Sequence, residues 1–263
     1  EKQNTLDIKK ISLLNTNLEI TKATTELNIN WDLHKALILI NDKKFNIQAN
    51  GFSRNLTLDS NEYMLNKKID FSTNTSISKK STDILNLAFQ IEETSLQLSG
   101  SIINDSINLN VSSSNENVKK FISIMPENIK KFFTPFDLNG EISFTSQIKG
   151  VITKNNNPYF EMQYHLENGY FKRYSHPFTL NQIYTKGSIN NGAKKNFNTT
   201  TIVANNFEGK TKNGYINGDF TVSNLNNYFL DGSFKSAGRL EIGDEIKTRD
   251  EKTLEWMTAL VYQ

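Results

Sequence analysis

Ile69-Asp70-Phe71-Ser72-Thr73-Asn74-Thr75-Ser76-Ile77 is the stretch whose reading decides the fold. Ile69, Phe71, Thr73, Thr75 and Ile77 fall on one side of an extended chain, and Asp70, Ser72, Asn74 and Ser76 on the other. Period two with one apolar and one polar row is the pattern of an antiparallel strand that buries a single face. The same period recurs outward from this stretch. Leu85, Leu87, Phe89 and Ile91 alternate with Asn86, Gln90 and Glu92, and Leu96 and Leu98 follow, then Ile107, Leu109 and Val111. Upstream, Leu18/Ile20, Leu27/Ile29/Trp31, Leu37/Leu39, Phe45/Ile47 and Leu56/Leu58 each read as a short strand. Asn41-Asp42-Lys43-Lys44 and Asn104-Asp105-Ser106 supply the residue types of tight turns between them.

The alternation breaks once. Val118, Phe121, Ile122, Met125, Ile129, Phe132 and Phe133 follow three-and-four spacing, with Lys119, Lys120, Lys130 and Lys131 on the other side. Pro126 is unfavourable inside a helix, so two short helical turns meeting near it are expected. Strand patterning then resumes at Ile142/Phe144/Ile148, Phe160 to Leu166, Tyr170 to Tyr174, Leu180 to Ile189, Thr200 to Phe207, Tyr215 to Val222 and Leu230 to Leu240. Leu254, Met257, Leu260 and Val261 predict a helical tail. The whole reads as mainly β, about sixteen strands in an antiparallel meander. Its predicted parts are a first β half (1–113), a helical connector (114–135), a second β half (136–246) and a helical tail (247–263).

Composition narrows the function classes. The 263 residues carry 30 Lys+Arg against 28 Asp+Glu, with no cysteine and 37% hydrophobic residues. Balanced charge without a like-charge block argues against a dedicated nucleic-acid binder. Without cysteine there is no disulfide scaffold and no thiolate metal site, and its lack fits an oxidising compartment. Asparagine occurs 36 times. It is a poor interior residue for helix or strand, so most copies are expected on wet faces and turns. The longest apolar run, Ala36 to Ile40, is far short of the roughly 20 residues of a spanning helix. No signal-peptide pattern opens the chain. Its ends, Glu1 and Gln263, suggest a segment of a longer protein.

Catalytic patterns are not found. His34, His165 and His176 lack metal-ligand or triad spacing and read as solvated residues. The glycines match no phosphate loop. Glu92-Glu93 and Asp244-Glu245 are adjacent pairs whose side chains diverge along a strand, and Asp137-Leu138-Asn139-Gly140 lacks the further ligands of a calcium loop. The expectation is a non-enzymatic protein with no cofactor and no metal.

About sixteen one-sided strands present an apolar face that two short helices cannot cover. Two architectures answer this. One is a β-sandwich, an interaction or adhesion module whose two sheets cover each other. The other is a long curved open sheet whose apolar face lines a trough. A transmembrane barrel fits poorly, because the helical segment interrupts the strands and aromatic girdles are missing.

The second half resembles the AsmA-like family of bacterial envelope proteins, in its Bacteroidota-type version. Asn117-Val118-Lys119-Lys120-Phe121-Ile122-Ser123-Ile124-Met125-Pro126 is similar to the family's apolar helix ending in proline. Phe136 to Phe144 with Ile148-Lys149-Gly150, then Pro158 to Leu166, Asn168-Gly169-Tyr170-Phe171 and Ile183 to Asn190 follow in the family's order. Gly214 to Phe220 and Gly238 to Ile242 close the series. The likeness extends over residues 6 to 246 and is most specific from 117 to 242. It implies a periplasmic protein, tethered to the inner membrane by an anchor outside this segment. Its β-sheet would form an open, taco-like groove holding phospholipid acyl chains in transit to the outer membrane, with envelope proteins as further partners. On that reading Ile69, Phe71, Leu87, Phe89, Ile142, Phe144, Ile148, Met162, Tyr164, Ile216 and Phe220 line the groove. The alternative use of the same residues is an ordinary dry core.

Overall fold

A computed structural model describes residues 8–238 apart from 23–25, 59–60, 126, 152–156, 176–178 and 228. The tail helix expected at 247–263 and His176 lie outside the described residues. Fourteen strands and two short helices are described, fewer strands than the sequence predicts. In chain order the strands are β1 (Lys10–Lys22), β2 (Leu27–Asn41), β3 (Lys44–Leu58), β4 (Asn61–Tyr63), β5 (Lys67–Ile77), β6 (Ser81–Ile91), β7 (Thr94–Ile103) and β8 (Ser106–Asn117). Helices α1 (Val118–Ser123) and α2 (Glu127–Phe133) follow. Then come β9 (Phe136–Val151), β10 (Tyr159–Arg173), β11 (Thr179–Asn190), β12 (Thr201–Thr211), β13 (Gly214–Ser223) and β14 (Phe229–Gly238).

All fourteen belong to one open sheet, ordered as in the chain, with β4 set aside on β3. Every described pairing is antiparallel, as short hairpin turns require. A sandwich needs two facing sheets, and the described strands form one.

The lower strand count has a physical cause. Leu27/Ile29/Trp31 and Leu37/Leu39 read as separate strands because Asp32, His34 and Lys35 part them, yet both lie in β2. The register shifts between Leu33 and Lys35, so His34 is an extra residue that changes the facing parity. Arg54 does the same inside β3, between the Ser53–Trp31 and Asn55–Asn30 pairs, joining Phe45/Ile47 to Leu56/Leu58. Asn168 likewise fuses Phe160–Leu166 and Tyr170–Arg173 into β10. A bulge leaves one residue unpaired, bends its strand and adds right-handed twist.

Two compact units are formed. The first contains the chain to Ser112 with 124–128 and 148–158; the second contains 113–123, 129–147 and the chain from Tyr159. In the first unit, the Lys22 ammonium at the end of β1 meets the Asp105 carboxylate in the β7–β8 turn at 2.9 Å. Five strand spacings of about 4.8 Å separate β1 from β7 in a flat sheet, about 24 Å before any offset along the strands. The sheet of this unit is therefore coiled until opposite corners touch.

Candidate functional site: the apolar inner face

Register and burial define one inner face in each unit. In the first unit the rows Gly51–Ile69–Ile91, Ala49–Phe71–Phe89 and Thr73–Leu87–Leu98 pair directly across strands. Ile69 is fully buried and Leu33, Ala36, Ala49 and Ile91 nearly so. Trp31, on β2, reaches over small residues of β3. Its ring lies 5.6 Å from Phe71 on β5 and stacks at 6.2 Å on Phe89 of β6, three strand spacings away. Phe71 and Phe89 meet edge to face at 6.2 Å, the preferred aromatic geometry. Trp31 pairs with Ser53 and Phe71 with Ala49, small residues that leave room for these rings on the inner face. Leu33, Ala36 and Ala49 form its packed floor, with Leu13, Leu18, Trp31 and Phe71 against them.

In the second unit Leu180, Ile183 and Ile216 form the buried cluster, flanked by Leu166, Phe171 and Phe207. Met162 pairs with Ile189, and Phe220 lies between Ala204 and Gly232. Phe144 is buried, and the Phe121 ring of α1 rests 5.1 Å from it. Helix α1 therefore covers part of this face. Asn117 starts that helix, its side-chain oxygen accepting from the Lys120 amide at 3.2 Å, as an N-cap does.

Tyr164 occupies a specific slot. Its ring lies across β11 at Gly187, where a side-chain carbon would stand 2.8 Å from the Tyr164 hydroxyl and 1.8 Å from the Val203 carbonyl oxygen. Only glycine leaves that passage open. The hydroxyl donates to the Val203 carbonyl at 3.0 Å, and burial pushes its pKa up to about 12. Tyr164 is thus fixed flat on the sheet.

The eleven residues expected to line a groove are distributed as follows. Ile69, Phe71, Leu87, Phe89 and Ile148 belong to the first unit; Ile142, Phe144, Met162, Tyr164, Ile216 and Phe220 to the second. Ile69, Phe144, Met162 and Ile216 are buried by neighbouring side chains, and the others are half-buried. Leu85 departs from its expected row. A register shift after Asn74 makes it the extra residue of β6, so Ile84 pairs inward with Thr75 while Leu85 is 60% exposed.

Some polar atoms on the inner face are satisfied by the sheet itself. Thr73 donates to the Asn86 carbonyl at 2.8 Å and Thr185 to the Asn205 carbonyl at 3.2 Å, each beside a bulge. Trp31 Nε1, Ser53 Oγ and Thr94 Oγ1 are buried with no partner. The sequence gives no sign of these bulge-linked hydroxyls, because the register that aligns them is a long-range property.

Asparagine organises the outer face. Asn46 donates to Asn74 at 2.7 Å and Asn74 to Asn86 at 3.1 Å, a ladder across β3, β5 and β6. Asparagine also takes left-handed backbone at Asn15, Asn115, Asn168 and Asn206, within β1, β8, β10 and β12. Its short polar side chain tolerates that conformation better than most. A recess of about 520 Å³ is lined by Asp32, His34, Phe52, Ser53, Arg54 and Asn66, around the His34 and Arg54 bulges. The Arg54 guanidinium, with a hydrogen bond from Asn17, holds the Asp32 carboxyl below the usual carboxylate range. The two charges neutralise each other and offer no free charge to a ligand.

Among the described residues no group of three His, Cys, Asp or Glu side chains is placed to hold a metal ion. None of their helices is long and apolar enough to cross a membrane. Compared with known proteins, the chain matches no family model, no curated sequence and no solved structure.

Proposed function

We propose that this chain is a lipid-holding segment whose inner sheet face forms an open groove for the acyl chains of phospholipids. The observation behind this reading is the one-sidedness of the sheet. Most apolar residues keep to one face through bulge after bulge, with Leu14, Leu39, Phe52 and Leu85 exposed off it, while among the described residues no second sheet covers that face. Shielding a methylene from water is worth about 0.8 kcal/mol, so a single acyl chain on such a face gains enough to bind without any polar contact. The half-buried members, Phe71, Leu87, Phe89, Ile142, Ile148 and Phe220, are the surfaces offered to it.

The AsmA-like resemblance of residues 117 to 242 supplies the setting we propose: the periplasm, an inner-membrane tether outside this segment, and phospholipid movement that supports the outer membrane. The role is carriage and not catalysis. Native mass spectrometry of the chain purified without detergent tests it. Bound phospholipid or fatty acid, lost when Phe71 and Phe89 are both changed to Asp, is the expected result. A lipid-free chain that also takes up no fatty acid overturns the reading.

A further inference from the structure

The ends of the strands in the first unit differ in charge, and one end is built as a continuous basic rim. Three backbone hydrogen bonds tie it together: Ile40 donates to the Lys9 carbonyl at 2.8 Å, Ile77 to Lys43 at 2.9 Å and Asn104 to Lys80 at 3.1 Å. The start of β1 and the β2–β3, β5–β6 and β7–β8 turns are thereby set side by side. Lys9, Lys10, Lys43, Lys44, Lys79 and Lys80 all lie on this rim, and all are exposed. Its acids are Asp42, Asp83 and Asp105, three against six lysines, and Asp105 is already engaged by Lys22. The opposite rim carries Glu26, Glu62, Glu92 and Glu93 against Lys22, Lys67 and Lys68.

Apolar side chains accompany the lysines. Ile8 is 47% exposed, Ile77 42% and Ile103 50%, and each sits within three residues of a rim turn or a rim lysine. Lysines to hold anionic headgroups, with short apolar side chains between them to enter the acyl boundary, are what a bilayer surface selects.

We propose that this rim docks the first unit on the surface of an anionic phospholipid bilayer. The proposal rests on the lipid-holding reading for its purpose: docking by one end would bring that end of the inner face to the membrane from which acyl chains enter. The headgroup chemistry required is a phosphodiester bearing net negative charge, and the inner face is not involved in the docking itself.

Flotation of the full chain with vesicles tests it. Vesicles of phosphatidylglycerol and phosphatidylethanolamine are expected to carry the protein, and pure phosphatidylcholine vesicles are not. Lys43→Glu with Lys79→Glu is expected to reduce flotation more than about tenfold, at about 1 kcal/mol for each lysine at the surface. Ile77→Ser with Ile103→Ser is expected to weaken it at unchanged charge. Circular dichroism matching the unaltered chain shows that each variant folds. The lysine variant is also expected to retain any fatty acid bound in native mass spectrometry, which separates a failed rim from a failed groove. Equal flotation on both vesicle types, or full flotation by the lysine variant, overturns the proposal. Loss of vesicle binding to competing heparin, with the isoleucine variant unaffected, overturns it in favour of a soluble polyanion.

Discussion

The Lys22 ammonium and the Asp105 carboxylate are in contact at 2.9 Å although β1 and the β7–β8 turn stand at opposite corners of the first unit's sheet. Both side chains are about half exposed, so the pair itself contributes little, at most about 1 kcal/mol. It reports the coil and does not cause it. The coil comes from the bulges at His34, Arg54 and Leu85, each adding local twist.

Because the chain has no cysteine, Lys22→Cys with Asp105→Cys gives two unique labelling sites. Spin labels there should report a separation well below the about 24 Å that a flat sheet imposes. Lys22→Ala should leave the coil intact and lower stability by less than about 1 kcal/mol in urea unfolding.

The phase of β6 has a sharp mutational signature. Ile84→Ala should cost about 2 kcal/mol or more, as an inward aliphatic does. Leu85→Ala, its neighbour on the bulge, should change stability by less than about 0.5 kcal/mol. Ile69→Ala, at zero exposure, should cost the most of the three. Urea unfolding of the three variants checks the order.

These substitutions mark where sequence reading succeeds and where it stops. The Ile69-to-Ile77 alternation transfers directly to β5, since the one register shift along it places the extra residue on β6. Leu85 is misplaced because alternation is counted along one strand, whereas a bulge is defined by the partner strand. For the same reason β2, β3 and β10 look like pairs of strands. Asparagine reads correctly as a residue of wet faces and turns. Its ladder through Asn46, Asn74 and Asn86 depends on three strands being in register, which no local pattern encodes. The burial of the groove candidates is mixed for a related reason: Phe144 is covered by Phe121, a contact between a helix and a strand that periodicity cannot foresee.

Tyr164 gives the fold an alkaline sensitivity. Its folded-state pKa of about 12 lies above the value near 10 of an unfolded tyrosine, so the folded state retains a proton that the unfolded chain loses between these values. Stability from this group is whole below about pH 10 and declines as pH rises toward 12. Unfolding free energy measured from pH 9 to 11.5 should fall in the native chain, and fall less steeply in Tyr164→Phe.

Thr94 is nearly inaccessible, and its hydroxyl is buried without a partner on the inner face. An unsatisfied buried polar group costs about 1–3 kcal/mol. Thr94→Val keeps the shape and removes the hydroxyl, so it should leave stability unchanged or raise it by up to about 1 kcal/mol in urea unfolding.

The claim that acyl chains lie on the inner face is tested most directly through Trp31. The chain has two tryptophans, so Trp256→Phe leaves Trp31 as the only one. Its emission should be quenched by a fatty acid brominated along its chain, saturably and at low molar ratio, with unbrominated fatty acid competing the quench away. Emission that is indifferent to the brominated chain, in protein whose circular dichroism shows the intact sheet, would contradict the account.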